Sequence, residues 1–419
     1  MLIANRLSRS VKGTSGQVVF SAGAQLLRYG APVLFYPLLI RWLTTADFAV
    51  FVWCMAAGQI FGQFVEFGFG LIAVRGISEG DSREASAKAC GEVIVGKGLM
   101  FLLSLVVLSC GSYAFAKSFD LDQVLAVALI GLAYGFTPSW FYAAQKLAHR
   151  LALYELLMSF SQLALIVIIV PIEGGVVGAL ASLIMPVAVL SLFGNVNAVR
   201  QLSFTFPSRA DLWEAIKSSY NVFVFTNAPT LTNRAIIIAL GLASSPAQVA
   251  FYSAGERVVS AAINVLAPVM RILLPRVISL RRESSLRARG FAVKALWLGT
   301  LLYLSGAVFL ALISWWWVPI VFSAKLSDAV LTVSLFLFVM PLSVFGRMTG
   351  LLFLVPARRE RPLQIATVFT CLVGLSLAYP VASLGAVAAV SLRICIEALI
   401  ALFAALLSWK YKTESLSDA

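Results

Sequence analysis

The chain has 419 residues, of which 60% are hydrophobic and only 12% are charged, and its formal net charge is +13. Soluble domains carry about 25% charged residues, so these charges are too few to cover the surface of a large soluble helical protein. Apolar runs recur from end to end, each long enough to cross about 30 Å of hydrocarbon. The composition therefore predicts an all-α, polytopic membrane protein.

The apolar runs predict twelve transmembrane helices joined by short loops. Six fall in each half, which predicts two six-helix bundles, 1–200 and 218–419, connected by a cytoplasmic linker at 201–217. The basic N-terminal segment is typical of a secretory signal, but the apolar run after it is too long, so we expect an uncleaved first span. The predicted spans are 17–40, 47–72, 93–116, 122–145, 152–171, 175–195, 218–241, 247–274, 293–318, 328–355, 363–380 and 384–409.

Basic residues indicate the orientation of these spans. Twenty-two of them fall in the terminal segments and loops of one side, whereas the other side holds only Arg41, Lys117 and Lys325. The positive-inside rule then places both termini in the cytoplasm. Because topology accounts for the positive charge, we expect no nucleic-acid partner.

Polar side chains form one stripe in each of four predicted spans, since positions spaced i, i+4 and i+7 share a helix face. One stripe alone would indicate hydrogen bonding between helices, but four stripes in corresponding helices of the two halves favour a hydrated cavity. Similar openings of spans 2 and 8, "ADFAVF" at 46–51 and "AQVAFY" at 247–252, support parallel repeats of the transporter type. The stripes contain Gln25 and Arg28 in span 1, Gln59, Gln63 and Glu66 in span 2, Thr226, Thr230 and Asn233 beside Arg234 in span 7, and Ser253, Ser260 and Asn264 in span 8. On the surface of span 8, Glu256 and Arg257 flank the stripe on either side.

Four arginines, Arg28, Arg234, Arg257 and Arg347, lie near the centres of predicted spans. Each would cost about 2.5–3.5 kcal/mol in lipid, so they require a protein or aqueous interior. They outnumber the central carboxylates, which predicts a cationic cavity. Arginine binds phosphate through two parallel hydrogen bonds and stays charged when desolvated, so the expected substrate is anionic or phosphorylated.

Other intramembrane charges have simpler interpretations. Lys97 lies near the cytoplasmic end of its predicted span, where its side chain can extend to the membrane surface. Arg393 and Glu397 are four residues apart, which predicts a structural ion pair on one helix face.

Enzyme motifs are weak in this sequence. The segment "GEVIVGKG" at 91–98 fits GxxxxGK, but Gly98 stands where a phosphate-binding loop needs Ser or Thr, and the segment enters a membrane span. The short loops offer no room for the catalytic domain of a glycosyltransferase or polymerase. This favours a protein that is not an enzyme, although a membrane enzyme acting on lipid-linked sugars stays an alternative. The five scattered cysteines lack CxxC spacing, so no metal or disulfide is expected.

Three segments carry a resemblance to a known family. They are "LIRWLTTADFAVF" at 39–51, "EFGFGLIAVRGIS" at 66–78 and "FYSAGERVVSAAINVLAPVMRILLPRVISL" at 251–280. Together with the twelve spans, they resemble the polysaccharide-transporter, O-antigen flippase type of the multidrug/oligosaccharidyl-lipid/polysaccharide (MOP) superfamily, whose fold is MATE-like. Many members have an acidic residue where this chain has Gly76, and an Asp where it has Asn233. Arg234 therefore lacks an adjacent carboxylate, which leaves its charge freer for substrate.

The resemblance implies a flippase that moves undecaprenyl-diphosphate-linked oligosaccharide to the periplasmic leaflet by alternating access, coupled to a proton or sodium ion, with no other cofactor. Implied partners are the lipid-linked oligosaccharide, membrane lipids, and the polysaccharide polymerase and chain-length machinery. A multidrug exporter of the same superfamily is an alternative. We expect Glu256 and Glu66 to serve ion coupling. The expected substrate-binding residues are Arg28, Arg234, Arg257, Arg347, Gln25, Gln63 and Asn264.

Overall fold

The computed structural model describes residues 34–79, 82–114 and 120–417. Within these ranges the chain is helical, with no strand, which confirms the all-α class. The helices are α1 (residues 34–42), α2 (Thr45–Glu66), α3 (Phe69–Glu79), α4 (Arg83–Ala114), α5 (Leu121–Gly135), α6 (Ser139–Ala144), α7 (Ala148–Glu173), α8 (Val176–Leu202), α9 (Arg209–Ala243), α10 (Pro246–Asn264), α11 (Leu266–Glu283), α12 (Ser285–Leu312), α13 (Ser314–Phe322), α14 (Val330–Leu337), α15 (Val339–Thr349), α16 (Arg361–Ala382) and α17 (Ala386–Ser417). A 3₁₀ turn (Ala324–Ala329) precedes α14, and a π turn (Gly350–Leu354) follows α15.

Ten helical stretches of the described chain are long and apolar enough to cross a membrane, and they coincide with ten of the twelve predicted spans. This confirms a multi-pass membrane protein. Of the other two predicted spans, 17–40 lies mostly outside the described residues. The second, 218–241, lies within α9, which is 35 residues long. Its asparagines, threonines and Arg234 make α9 more polar than the other helices of 20 residues or more.

Two predicted spans are broken helices. Span 2 turns sharply between α2 and α3, where Phe67 has a φ of 46° and Gly68 a φ of 85°. Span 8 changes from α10 to α11 at Val265. Pro268 explains this second break, because it has no N–H to donate to the carbonyl four residues earlier. Span 9 begins and ends earlier than predicted: α12 runs from Ser285 to Leu312, and α13 forms separately.

The contacts within the chain define two compact units. Among the described residues, the first contains those between Trp53 and Asn227, and the second contains residues 34–52 and those from Ala228 onward. The boundaries of these units fall inside α2 and α9. The predicted bundles were instead divided at the loop 201–217, and that division stays a prediction.

Close helix packing shapes the first unit. A Cβ atom on Gly62 of α2 would lie 3.2 Å from the Cβ atom of Tyr134 on α5, and one on Gly135 would lie 2.5 Å from the side chain of Val65. Small residues permit this approach of two backbones, as is common between membrane helices. The pair fixes the distance between α2 and α5, which both contribute to the polar cavity described below.

Candidate functional site

Three charged side chains meet inside the second unit. The carboxylate of Glu256 on α10 lies between two guanidinium groups: Arg234 Nη1 is 3.7 Å from Oε1, and Arg257 Nε is 3.5 Å from Oε2. These side chains are buried, with exposed fractions of 7% for Glu256, 13% for Arg234 and 12% for Arg257. We refer to the three residues as the arginine–glutamate cluster. Sequence reasoning assigned all three to the site but did not foresee that one carboxylate would serve both arginines.

Neutral side chains hold the arginine–glutamate cluster in place. Ser260, one turn after Glu256, donates a hydrogen bond of 2.8 Å to Glu256 Oε1. Tyr36 on α1 accepts a hydrogen bond from Arg257 Nη2, and the Arg257 Cζ atom lies 4.1 Å from the centroid of its ring. The guanidinium therefore gains a cation–π interaction as well. Tyr36 is itself buried and packs edge-on against Phe48 and Phe51.

The cluster has unused hydrogen-bonding capacity. Arg234 Nε and Nη1 and Glu256 Oε2 are buried without a hydrogen-bond partner among the described residues. The ion-pair distances of 3.7 and 3.5 Å are too long for hydrogen bonds. Two guanidinium groups and one carboxylate leave one net positive charge. Such a cluster can accept an anion, since arginine donors that are buried and unsatisfied gain most from a charged acceptor.

A second ion pair lies in the same unit, on α17. Arg393 Nη2 contacts Glu397 Oε1, and both side chains are buried, with exposed fractions of 6% and 8%. This is the i, i+4 contact that the spacing predicts. Because the pair is neutral, the excess positive charge stays on the arginine–glutamate cluster.

The other central carboxylate, Glu66, lies in the first unit at the break between α2 and α3. Its Oε2 atom accepts a hydrogen bond of 2.8 Å from the backbone N–H of Gly68, and Oε1 accepts one of 3.0 Å from the N–H of Gly70. The carboxylate therefore satisfies backbone donors at the start of α3, where a negative charge also complements the helix dipole. Glu66 has a clear structural role at this position.

Glu66 also lines a polar cavity of about 270 Å³ in the first unit. We call it the carboxamide cavity, because three of its six lining residues are carboxamides. The amino group of Lys97 is within electrostatic range of Glu66. The lining residues are Gln59, Gly62, Gln63, Glu66, Tyr134 and Asn227.

The expectation that Lys97 extends to the membrane surface is wrong, because only 1% of this residue is exposed. The predicted span began at residue 93, whereas α4 begins ten residues earlier, at Arg83. Lys97 is therefore too far along the helix to reach its N-terminal end. The nearby carboxylate of Glu66 explains how a lysine is accommodated in the interior.

The predicted site residues fall into two groups, one in each unit. Gln63 and Glu66 line the carboxamide cavity, and Arg234, Glu256 and Arg257 form the arginine–glutamate cluster. Arg28 and Gln25 lie outside the described residues. Asn264 is the half-buried last residue of α10, and Arg347 is exposed in the last turn of α15. The single shared cavity stays a prediction.

Several residues of the two groups were missed. They are Tyr36, Tyr134 and Asn227, which lie in predicted spans but belong to none of the four polar stripes. Arg234 has no carboxylate beside it in the sequence, but its charge is less free than expected, because Glu256 of the next helix lies 3.7 Å away. An adjacent Asp was the only partner that sequence could reveal, whereas a partner from another helix depends on tertiary packing.

Comparison with solved structures defines the class of fold. A multidrug-resistance MATE transporter of the MOP superfamily, in its inward-facing conformation, matches with a TM-score of 0.67 and 16% identity over 96% of this chain and 97% of that chain. The outward-facing conformation of such a transporter matches with a TM-score of 0.58 and 16% identity over 98% of each chain. These matches confirm the predicted MATE-like fold.

Sequence comparison then gives the family. Residues 16–280 match the model of the family described as "Polysaccharide biosynthesis protein", so the chain belongs to this family. It is also 25% identical over 272 residues to a protein of Escherichia coli (strain K12) named "Putative O-antigen transporter". That match covers 62% of this chain and 64% of the relative, slightly less than two thirds of its length.

Proposed function

We propose that this protein is a flippase that moves undecaprenyl-diphosphate-linked oligosaccharide from the cytoplasmic to the periplasmic leaflet of a bacterial inner membrane. Its product would supply O-antigen, capsule or exopolysaccharide synthesis. The observation that carries the proposal is the buried arginine–glutamate cluster, with its net positive charge and its unsatisfied guanidinium donors. The family and the MATE-like fold support transport of a polysaccharide precursor. The positive-inside rule supports an orientation with both termini in the cytoplasm.

In the proposed mechanism, the diphosphate competes with Glu256 for the two arginines. A diphosphate carries more negative charge than one carboxylate and can accept parallel hydrogen bonds from a guanidinium. Substrate binding therefore draws Arg234 and Arg257 away from Glu256. In the empty site Glu256 compensates one of the two positive charges, which lowers the cost of keeping the arginines in the interior between transport cycles. Arg28, Arg347, Gln25 and Asn264 are proposed to complete the substrate site.

The same competition gives Glu256 a role in coupling. While two guanidinium groups flank it, the ionised carboxylate is stabilised. Once the substrate holds the arginines, the Glu256 carboxylate loses this stabilisation. It can then accept a proton or bind a sodium ion. Alternating access of the two conformations would then depend on both substrate and ion. We assign no bond-breaking chemistry to the protein, and Glu66 is proposed as a second coupling residue.

The charge of the cluster separates this function from drug export. A binding site for cationic drugs needs an excess of negative charge, whereas here two arginines face one glutamate. The protein should therefore give its host no resistance to cationic drugs. Proposed partners are the lipid-linked oligosaccharide, membrane lipids, and the polymerase and chain-length machinery that act on the flipped product.

Substitution of Arg257 tests the proposal. The variant is expressed from a plasmid in a host whose chromosomal copy of the gene is deleted. Arg257→Gln should reduce surface polysaccharide at least tenfold relative to the wild-type plasmid. Arg257→Lys should retain part of the activity, because it keeps the charge but loses the planar fork. Arg271→Gln is the matched control, since Arg271 is exposed on α11 of the same unit. Normal export by Arg257→Gln at the parental membrane level would contradict the proposal.

A further inference from the structure

The carboxamide cavity has a different chemistry from the arginine–glutamate cluster. Its lining offers the carboxamides of Gln59, Gln63 and Asn227, the carboxylate of Glu66 and the side chain of Tyr134. The buried Lys97 lies within electrostatic range of Glu66 and offsets part of its charge. The lining therefore combines several polar side chains with little net charge.

A carboxamide both donates and accepts hydrogen bonds. A sugar ring presents hydroxyl groups that do the same, so three carboxamides around one space suit a polyhydroxylated ligand. Gln63 supplies a direct indication of a missing partner, because its Oε1 atom is buried and has no hydrogen-bond partner within the described part of the chain. Leaving such an acceptor unpaired is unfavourable, and a ligand hydroxyl would satisfy it.

The charges disfavour the two other ligand classes. A cation would find one carboxylate, both of whose oxygens already accept backbone N–H groups, and the ammonium group of Lys97 would repel it. A phosphate would be repelled by Glu66. A neutral ligand meets neither repulsion. The second lone pair on each Glu66 oxygen can still accept a hydrogen bond from a ligand hydroxyl group.

The size of the cavity is also informative. Its volume of about 270 Å³ is near the lower end of the roughly 300–1,000 Å³ range of small-molecule pockets. This is several times the volume that one water molecule occupies, so it exceeds the need of a single ion and suits one sugar ring. Gly62 contributes to this space, because it adds no side chain to the wall between α2 and α5.

We propose that the carboxamide cavity binds one neutral sugar ring of the lipid-linked glycan, with Gln63 as its principal contact. The inference rests on the proposed function, which the arginine–glutamate cluster carries independently. The protein would thus distinguish a glycosylated carrier from the bare undecaprenyl diphosphate. The diphosphate contacts provide affinity common to both lipids, and the carboxamide contacts provide selectivity.

The test compares two lipids on the full chain in nanodiscs. The first is lipid-linked oligosaccharide extracted from host cells in which the gene is deleted, and the second is undecaprenyl diphosphate itself. The wild-type protein should bind the glycosylated lipid more tightly. Gln63→Leu should lower affinity for the glycosylated lipid about tenfold and leave affinity for the bare lipid unchanged. Gln201→Leu, an exposed glutamine on α8, is the matched control.

Folding of each variant is checked by its melting temperature. If Gln63→Leu melts early, Gln59→Met replaces it, because Gln59 lines the same cavity. An unchanged preference for the glycosylated lipid in these variants would overturn the inference while leaving the proposed function intact. If these variants lose binding of radioactive sodium but keep the preference for the glycosylated lipid, the cavity is a cation site and the inference is overturned. Failure of the wild-type protein to bind either lipid would remove the proposed function, and this inference with it.

Discussion

Two glutamates in this protein are held in different ways. Glu66, in the first unit, accepts hydrogen bonds from the backbone N–H groups of Gly68 and Gly70. Glu256, in the second unit, is held by Ser260 and by the charges of Arg234 and Arg257. Backbone donors cannot leave a carboxylate without unfolding the turn that presents them. Guanidinium groups on flexible side chains can, so the second arrangement suits a carboxylate whose partners exchange, whereas Glu66 would have to serve coupling while it keeps its backbone donors.

This difference also separates the two polar regions. The carboxamide cavity surrounds a carboxylate that already accepts two backbone hydrogen bonds. The interactions it can still offer are directional hydrogen bonds from neutral carboxamides. The arginine–glutamate cluster has unsatisfied charged donors, so its capacity is electrostatic. One chain can thus offer selectivity at one region and charge recognition at the other, although both began as similar polar stripes in the sequence.

The largest expected effect comes from Glu256→Gln. The substitution leaves two buried guanidinium groups without their counter-charge, and breaking a buried ion pair costs about 3–5 kcal/mol. We expect the melting temperature in detergent to fall more than for Glu66→Gln, which keeps one acceptor oxygen and loses about 1 kcal/mol. Similar losses for the two variants would contradict the comparison.

A double variant sharpens this result. Adding Arg234→Gln to Glu256→Gln removes one of the uncompensated charges and should recover part of the lost stability. Adding Arg234→Gln to Glu66→Gln should give no recovery, because Glu66 has backbone partners. The non-additive term of the cycle isolates the pair of Arg234 and Glu256. Equal recovery in both double variants would show that Arg234 acts only through general charge.

A smaller effect is expected from Gly70→Ala, which tests the position of Glu66. The added Cβ atom would lie 2.7 Å from Glu66 Oε1 and 3.1 Å from the Cβ atom of Trp140, so the carboxylate must move. We expect a loss of about 1–3 kcal/mol in stability, read as a lower melting temperature. Gly98→Ala is the matched control, since nothing lies within 4 Å of its added Cβ atom. This control should be neutral or slightly stabilising, because alanine favours the helix.

The sequence predicts the fold of this protein well, because span length and hydropathy are local properties. It predicts the broken helices less well. Span 2 was expected to be continuous, but Gly68 adopts a positive φ and the chain turns there. Span 8 was also expected to be continuous, although Pro268 is a signal that could have indicated the break.

Partners in the site were harder to predict than the site residues themselves. Glu256 and Arg257 stand out because charge is rare in this chain, but nothing local indicates that Tyr36 stacks on Arg257 or that Arg234 shares Glu256. Lys97 illustrates the same limit, since the predicted span start placed it near a membrane surface that it does not reach. Pairing depends on which helices pack together. The periodicity of a sequence shows which residues share a helix face, but not which helix lies opposite that face.

A third carboxylate, the partly exposed side chain of Asp211, extends the comparison to the surface. Asp211 Oδ1 accepts a hydrogen bond of 2.6 Å from Lys88 Nζ, and Oδ2 accepts bonds from the N–H and hydroxyl groups of Ser208. Ser208 in turn accepts the N–H of Asp211, so the two residues form a capping box at the start of α9. Unlike Glu256, this carboxylate is solvated, and its removal should have the smallest effect of the set.

The Lys88 hydrogen bond, followed by those of Ser208, lowers the pKa of Asp211 to about 2. A lowered pKa stabilises the fold above the ordinary value near 4, and this contribution is lost as the pH falls toward 2. Asp211→Asn should therefore melt slightly below the wild-type protein at pH 7, and the difference should shrink between pH 4 and pH 3. Lys88→Met should give a similar loss at pH 7, and the double variant should be no worse than the more affected single variant, because each single change removes the same ion pair. High salt should reduce the difference, since the pair is exposed to solvent. A difference that persists unchanged at pH 3 would mean that Asp211 acts through the shape of the cap and not through its charge.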